Sequence, residues 1–112
     1  MHEYHKAVEW LNQACEEAKE KKAQEVRLLN VTFGESSGYS ASVVYHYFQE
    51  AAKGTPCENA RFHVTVSRTM LRCPSCGKVY EKKLLDYHCP SCHTEGEPTE
   101  TGTEVTLDSI EL

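Results

Sequence analysis

The chain has 112 residues, with 12 Lys and Arg against 17 Asp and Glu, and its formal charge of -5 argues against broad binding to a phosphate backbone. That length suits one modest domain with a small appended module. No apolar run approaches the roughly 20 residues that span a bilayer and nothing resembles a cleaved leader, so a reduced, soluble, cytoplasmic protein with no membrane partner is expected.

The chain opens Met1-His2-Glu3-Tyr4-His5. A free α-amine one residue from an imidazole, with the backbone nitrogen between them, makes a nitrogen-rich chelate of the kind that favours square-planar Ni(II) or Cu(II). Glu3 can add a carboxylate oxygen or a hydrogen bond to the imidazole, or serve as a favourable acid near a helix N-terminus. His5 is placed near the start of the first helix, on the same side. Many chains open with Met-His by chance, so these five residues alone do not identify a metal site.

From about Tyr4 to Lys22, Ala7, Val8, Leu11, Ala14, Cys15 and Ala18 recur at helical spacing and predict one narrow apolar face, with Glu9, Glu16, Glu17, Glu20 and Lys21 opposite. Cys15 reads as a small buried residue on that face. Val26 to Phe33 is β-branched and apolar, as in a strand, and Gly34-Glu35-Ser36-Ser37-Gly38 breaks it. A second helix is expected from about Ser40 to Ala52, with Val43, Val44, Tyr47, Phe48 and Ala51 inward, ended by Gly54-Thr55-Pro56. Phe62, Val64 and Val66 alternate with Arg61, His63 and Thr65, the pattern of a half-buried strand on which His63 points outward.

Cys-Pro-Ser-Cys then occurs twice, at residues 73–76 and 89–92. Thiolates three positions apart wrap one side of a tetrahedral ion, and a second pair closes the other side, so Cys73, Cys76, Cys89 and Cys92 are the expected ligands of one zinc. Pro74 and Pro90 fix φ just after the first thiolate of each pair, which suits the tight turn. Disulfides within these pairs are not expected, since nothing resembles a signal peptide and most of the chain reads as an ordinary packed domain. A thioredoxin-like redox pair occurs singly, at the start of a helix after a strand, and neither condition is met. Four thiolates leave no open position, so the zinc is expected to be structural. His88 and His93 flank the second pair and read as exposed loop histidines, with replacement of a cysteine or a second site as the alternative. Arg72, Lys78, Lys82 and Lys83 make this segment basic, whereas Glu97, Glu100, Glu104, Asp108 and Glu111 make the tail acidic.

A polar stretch rich in Glu, Thr and Gly leads to a last strand from Glu104 to Glu111, where the broken alternation between Leu107 and Ile110 suggests a bulge. The order helix, strand, helix, strand, zinc loop, strand predicts an α+β fold in which two helices pack on a small three-stranded sheet and a zinc-ribbon-like module is inserted. The expected organisation is an α/β domain over residues 1–70 and 104–112, a zinc module over 71–95 and a linker over 96–103.

Met1-His2-Glu3, Gly34-Glu35, Gly54-Thr55, the paired cysteines and Asp108-Ser109-Ile110-Glu111 occur here in one order. Together they resemble the HypA family of nickel-insertion accessory proteins for [NiFe]-hydrogenases, over essentially the whole chain. The resemblance implies a nickel-binding α/β domain carrying a zinc domain, and delivery of Ni(II) as cargo to the hydrogenase large subunit with a HypB-like GTPase. For some members it also implies work in urease maturation. By position it makes His2 the essential nickel ligand, supported by the Met1 amine and Glu3, and makes Cys73, Cys76, Cys89 and Cys92 the ligands of a structural Zn(II). Some members carry an Asp shortly after the Gly-Glu element. Here Ser36-Ser37-Gly38-Tyr39-Ser40 has no carboxylate, which leaves the amino-terminal chelate, a histidine or water to complete the coordination.

An enzyme is not expected: there is no Gly-rich phosphate loop, nucleophile elbow or His-Glu-x-x-His motif, and Lys53-Gly54-Thr55 lacks the preceding glycine and residue order of a phosphate loop. The alternative function is a zinc ribbon that grips protein or nucleic acid without nickel. The acidic chain and the lack of an aromatic stacking series count against nucleic acid.

Overall fold

The computed structural model describes residues 2–83 and 86–112. Helix α1 (His2–Glu20) comes first and is followed by strand β1 (Leu28–Gly34), helix α2 (Ala41–Ala51) and strand β2 (Arg61–Ser67). Short strands β3 (Met70–Arg72), β4 (Val79–Glu81) and β5 (Glu97–Pro98) precede the final strand β6 (Val105–Glu111). Two three-stranded sheets result, in the orders β2-β1-β6 and β4-β3-β5. Among the described residues no helix is long and apolar enough to cross a membrane.

In the first sheet β1 lies between a parallel β2 and an antiparallel β6. The parallel pairing needs a crossover, and α2 supplies it. Ser40 starts that helix, its Oγ accepting the Val43 amide at 3.4 Å. Both helices cover one face of the sheet, as the α+β expectation requires. Leu29, Val31 and Phe33 from β1 are buried there with Val44 and Phe48 from α2 and Ala7, Leu11, Ala14 and Ala18 from α1.

Trp10, at helical spacing between Ala7 and Ala14, is buried as well and widens the expected apolar face. Its indole meets Phe33 and Phe62 edge-on, with ring centroids 5.5 and 5.8 Å away, and Phe48 closes on Phe62 at 5.0 Å. Such edge-to-face pairs suit the ring quadrupoles. Three expected inward positions differ. Val43, Val64 and Val66 remain 39%, 39% and 57% exposed, because α2 turns Val44 inward and the helices do not reach across the outer edge of β2. His63 is exposed, as its alternation predicts.

The predicted irregularity in the last strand is a bulge. Asn30 pairs with Ser109 and Val31 with Leu107, so Asp108 is the extra residue. The insertion keeps both Leu107 and Ile110 against the core, while Asp108 and Ser109 take hydrogen bonds from Thr32 at 2.5 Å and Asn30 at 2.9 Å.

The second sheet has a separate small core of Leu71, Cys73, Tyr80 and Cys89. β5 lies in the stretch expected as a linker, yet it pairs with β3, matching Leu71 to Pro98 and Arg72 to Glu97. The two cores make a long molecule, with a radius of gyration of 17.9 Å where about 13 Å is usual for this length.

Between the cores the chain passes through a tight junction. The Gly34 amide donates to the Glu104 carbonyl and the Ser36 amide to the Gly102 carbonyl, at 2.5 and 2.8 Å. The Glu104 carboxylate accepts the Gly102 and Thr103 amides and the Ser67 hydroxyl, at 2.6, 3.0 and 2.6 Å. Arg68 reaches Glu35 at 3.5 Å and Glu81 at 3.7 Å.

Candidate metal centre

Residues 73–78 and 89–94 form the same turn twice. In the first, the Cys73 amide donates to the Lys78 carbonyl and the Gly77 amide to the Cys73 carbonyl, both at 2.9 Å. In the second, the Cys89 amide donates to the Thr94 carbonyl at 2.8 Å and the His93 amide to the Cys89 carbonyl at 2.9 Å. The fifth residue of each turn is left-handed, Gly77 at φ 75° and His93 at φ 61°. Glycine adopts that conformation freely, and His93 takes it as the counterpart of Gly77 in the repeated turn. The turns also face each other with local two-fold symmetry: Ser75 meets Thr94 at 3.3 Å, and the counterpart pair Lys78 and Ser91 meets at 3.4 Å.

This arrangement brings Cys73, Cys76, Cys89 and Cys92 together, with all four sulfurs within 4.8 Å of one another. Cys73 Sγ lies 3.6 Å from Cys92 Sγ, and Cys76 Sγ lies 3.8 Å from Cys89 Sγ. A tetrahedral ion with zinc–sulfur bonds of about 2.3 Å holds its sulfurs about 3.8 Å apart. The donor set and its spacing therefore fit zinc. Cys73 and Cys89 are buried, whereas Cys76 is exposed and Cys92 half-buried.

The thiols are not equivalent. The Cys76 amide points at Cys73 Sγ from 3.5 Å, and that backbone donor is the main reason the Cys73 pKa falls to about 6. The Cys92 amide lowers Cys89 in the same way. Cys92 is pushed up to about 12, first by its hydrogen bond with Cys76 and next by that with Cys73. The backbone amide thus favours the charged form of the first sulfur in each turn, and metal binding to the set releases protons. Beneath the cluster, buried Tyr80 donates its hydroxyl to the Tyr87 carbonyl at 2.5 Å, and burial raises the phenol pKa. Gly96 leaves the room: a β-carbon there would collide with the Tyr80 hydroxyl.

The flanking histidines stand apart from the sulfurs. His88 is exposed, its Nδ1 lying 3.1 Å from Asp86 Oδ1 while its amide donates to the same oxygen at 3.0 Å. The amide is the main reason the Asp86 carboxyl sits below its usual range. His93 is exposed. Among the described residues, only the four cysteines group as a potential metal cage.

His2 is the first residue of α1, exposed, with Glu3 half-buried behind it in the first turn. The third expected participant, the Met1 amine, lies outside the described residues. His5 is exposed, with its ring against Tyr4 at 6.1 Å. The imidazole of His2 meets the edge of Tyr39, with ring centroids 5.9 Å apart at 67°. Tyr39 belongs to the stretch after Gly34-Glu35 that lacks a carboxylate, and its amide is held by Ser37 Oγ at 3.2 Å. The sequence signals that contact only through an aromatic residue within the stretch that lacks an acid.

A family model described as hydrogenase/urease nickel incorporation, metallochaperone, hypA, matches residues 1–112. The chain belongs to the HypA family. It is 29% identical to the hydrogenase maturation factor HypA of Caldanaerobacter subterraneus, covering 100% of this chain and 99% of that one. It is 30% identical to the factor of the same name from Wolinella succinogenes, covering 100% and 95%. Among solved structures, a solution structure of a HypA protein superposes with a TM-score of 0.72 at 28% identity, over 100% of this chain and 96% of that one. The solution structure of the Ni metallochaperone HypA from Helicobacter pylori gives 0.63 at 26% identity, over 98% and 96%. As a member of this hydrogenase/urease nickel-incorporation family the chain is a nickel metallochaperone, and its four-cysteine cluster is compatible with zinc.

Proposed function

We propose that this protein binds Ni(II) at its amino-terminal end and hands it to the large subunit of a [NiFe]-hydrogenase, working with a HypB-like GTPase. His2 supplies the essential imidazole, the Met1 amine a second nitrogen, and Glu3 a carboxylate oxygen or a hydrogen bond to the imidazole. Zinc held by Cys73, Cys76, Cys89 and Cys92 is structural and folds the second lobe; the two lobes are an α/β domain of residues 1–70 and 104–112 and a module of residues 71–95. Turnover has no place in this scheme, since the partner GTPase supplies the nucleotide chemistry. The cytoplasm, where the thiols stay reduced, is the compartment that suits it.

The match of a nickel-incorporation family over residues 1–112 carries this reading. The exposure of His2 supports it, because transfer by ligand exchange needs a cargo ion that an incoming ligand can reach. A terminal amine and an imidazole must shed protons to bind, so nickel is released as pH falls.

The test is Ni(II) titration by calorimetry on untagged, zinc-loaded protein, beside His2→Ala and a variant extended by residues before Met1. One exchangeable nickel per wild-type chain, lost in both variants while zinc is retained, is the expected result. Unchanged nickel binding in His2→Ala removes the assignment.

A further inference from the structure

Cys15 and Cys57 lie outside the four-cysteine cluster. Cys15 sits half-buried on α1, and Cys57 is fully buried in the turn between α2 and β2. Their sulfurs are 3.8 Å apart, in van der Waals contact, across a sequence separation of 42 residues. Both pack in the core of the first lobe, so the structure fixes their approach. A disulfide needs the sulfurs at about 2.05 Å, a closure of about 1.8 Å.

We propose that Cys15 and Cys57 form an oxidation site, a dithiol that peroxide closes into a disulfide clamping α1 to the α2–β2 turn. The accessible partner reacts first. Cys15 Sγ attacks one peroxide oxygen, the O–O bond breaks, water leaves, and Cys15 becomes a sulfenic acid. Cys57 Sγ then attacks that sulfur, the S–S bond forms, the S–O bond breaks, and a second water departs with the Cys57 proton. Two thiols and one hydrogen peroxide become one disulfide and two waters, the two electrons passing from sulfur to peroxide.

The division of labour follows from burial. Loss of solvent, and next the neighbouring Cys15, push the Cys57 thiol up to about 12, so it does not compete for peroxide in solution. As the resolving group it is already in contact with its target, which offsets its weak acidity. The bridge encloses all of β1 and α2, and it anchors the helix that begins with His2. The proposal does not depend on nickel binding.

The experiment treats zinc-loaded, full-length protein with stoichiometric hydrogen peroxide, alkylates free thiols after denaturation, and maps tryptic peptides by mass. The expected product links the peptide of residues 7–19 to that of residues 54–61, two hydrogens lighter than their sum, with zinc still bound. Cys15→Ser, and Cys57→Ala as a second variant, yield no such product. The oxidised wild type melts at a higher temperature than the reduced wild type, and neither variant shows that rise. Recovery of Cys15 and Cys57 as free thiols after the peroxide is consumed overturns the site. So does recovery of Cys15 as a sulfinic acid, or of either residue bridged to a cluster cysteine. A linked product without a rise in melting temperature overturns the clamp.

Discussion

Gly34 presses against Gly102 so closely that a β-carbon on Gly34 would collide with the Gly102 carbonyl and lie 2.7 Å from the Thr103 amide nitrogen. Gly102 in turn takes a φ of 96° and packs against Thr69, where an added β-carbon would be 2.8 Å from the Thr69 α-carbon. The Gly34-Glu35 element therefore has a steric reason to be glycine: it lets the strand end of the first sheet meet the chain returning from the second lobe. The obstacle is backbone, which cannot swing aside as a long side chain does.

Gly34→Ala is accordingly expected to lower stability by about 1–3 kcal/mol, the usual cost of forcing atoms into a filled space. Urea denaturation measures it. A variant as stable as the wild type means the junction relaxes at no cost, and the close approach then explains nothing about this glycine.

The same junction is sensitive to acid. The hydrogen bond from Ser67 and then the Gly102 amide hold the Glu104 carboxyl below its ordinary value of 4.5. A carboxylate depressed in the folded state contributes stability above its unfolded pKa, and that contribution is lost as pH falls through the folded value. Glu104→Gln is therefore less stable than wild type near neutrality, and the gap between them narrows as pH drops below about 4.5. Urea midpoints measured from neutral pH into that range decide it; a gap that stays constant rules out the carboxylate charge as the cause.

The second lobe has so little core that its folding is expected to depend on the metal. Leu71, Cys73, Tyr80 and Cys89 are its buried residues, and two of the four are sulfur donors. Structural zinc contributes on the order of 10 kcal/mol to small modules, far above what two apolar side chains supply. Cys73→Ser, or a strong chelator at neutral pH, should release zinc and unfold residues 71–95 while the first sheet and its helices persist. Limited proteolysis with mass mapping shows this as cleavage confined to the second lobe. Concerted loss of both lobes contradicts it.

How far the sequence disclosed this molecule varied with the range of the signal. Period and spacing were legible: the helical repeat of α1, the turn at Gly34-Glu35-Ser36-Ser37-Gly38, the bulge at Asp108 and the duplicated cysteine pairs all rest on neighbours along the chain. Trp10 is less legible, although it occupies a helical position facing Phe33 and Phe62, because small Ala residues dominate that stripe. The exposure of Val64 and Val66 was not legible, since alternation tells which face a residue takes but not whether a helix reaches over it. β5 was hidden for a related reason. Two residues carry no periodicity, and Glu97 and Pro98 become a strand only because β3 offers them an edge. His93 illustrates a third kind of loss: its left-handed backbone follows from the repeated turn, visible only when the two turns are laid side by side.

The contact between His2 and Tyr39 provides the final prediction. The rings of Tyr39 and His2 meet edge-to-face, and Tyr39 comes from the stretch after Gly34-Glu35 that carries no carboxylate. An aromatic ring donates no ligand here comparable to a carboxylate, but it can restrict how the imidazole turns on an otherwise exposed helix end. Edge-to-face pairs are worth about 0.5–1.5 kcal/mol, so losing the ring should weaken nickel binding by roughly 2- to 13-fold if His2 is a ligand. Tyr39→Ala should show that loss, and Tyr39→Phe, which keeps the ring and removes only the hydroxyl, should bind nickel as the wild type does. Both variants should retain zinc, because the cysteine turns make no use of this residue. Equal weakening in Phe and Ala would shift the role to the hydroxyl, and equal affinity in all three would show that the ring contact has no bearing on how His2 holds the metal.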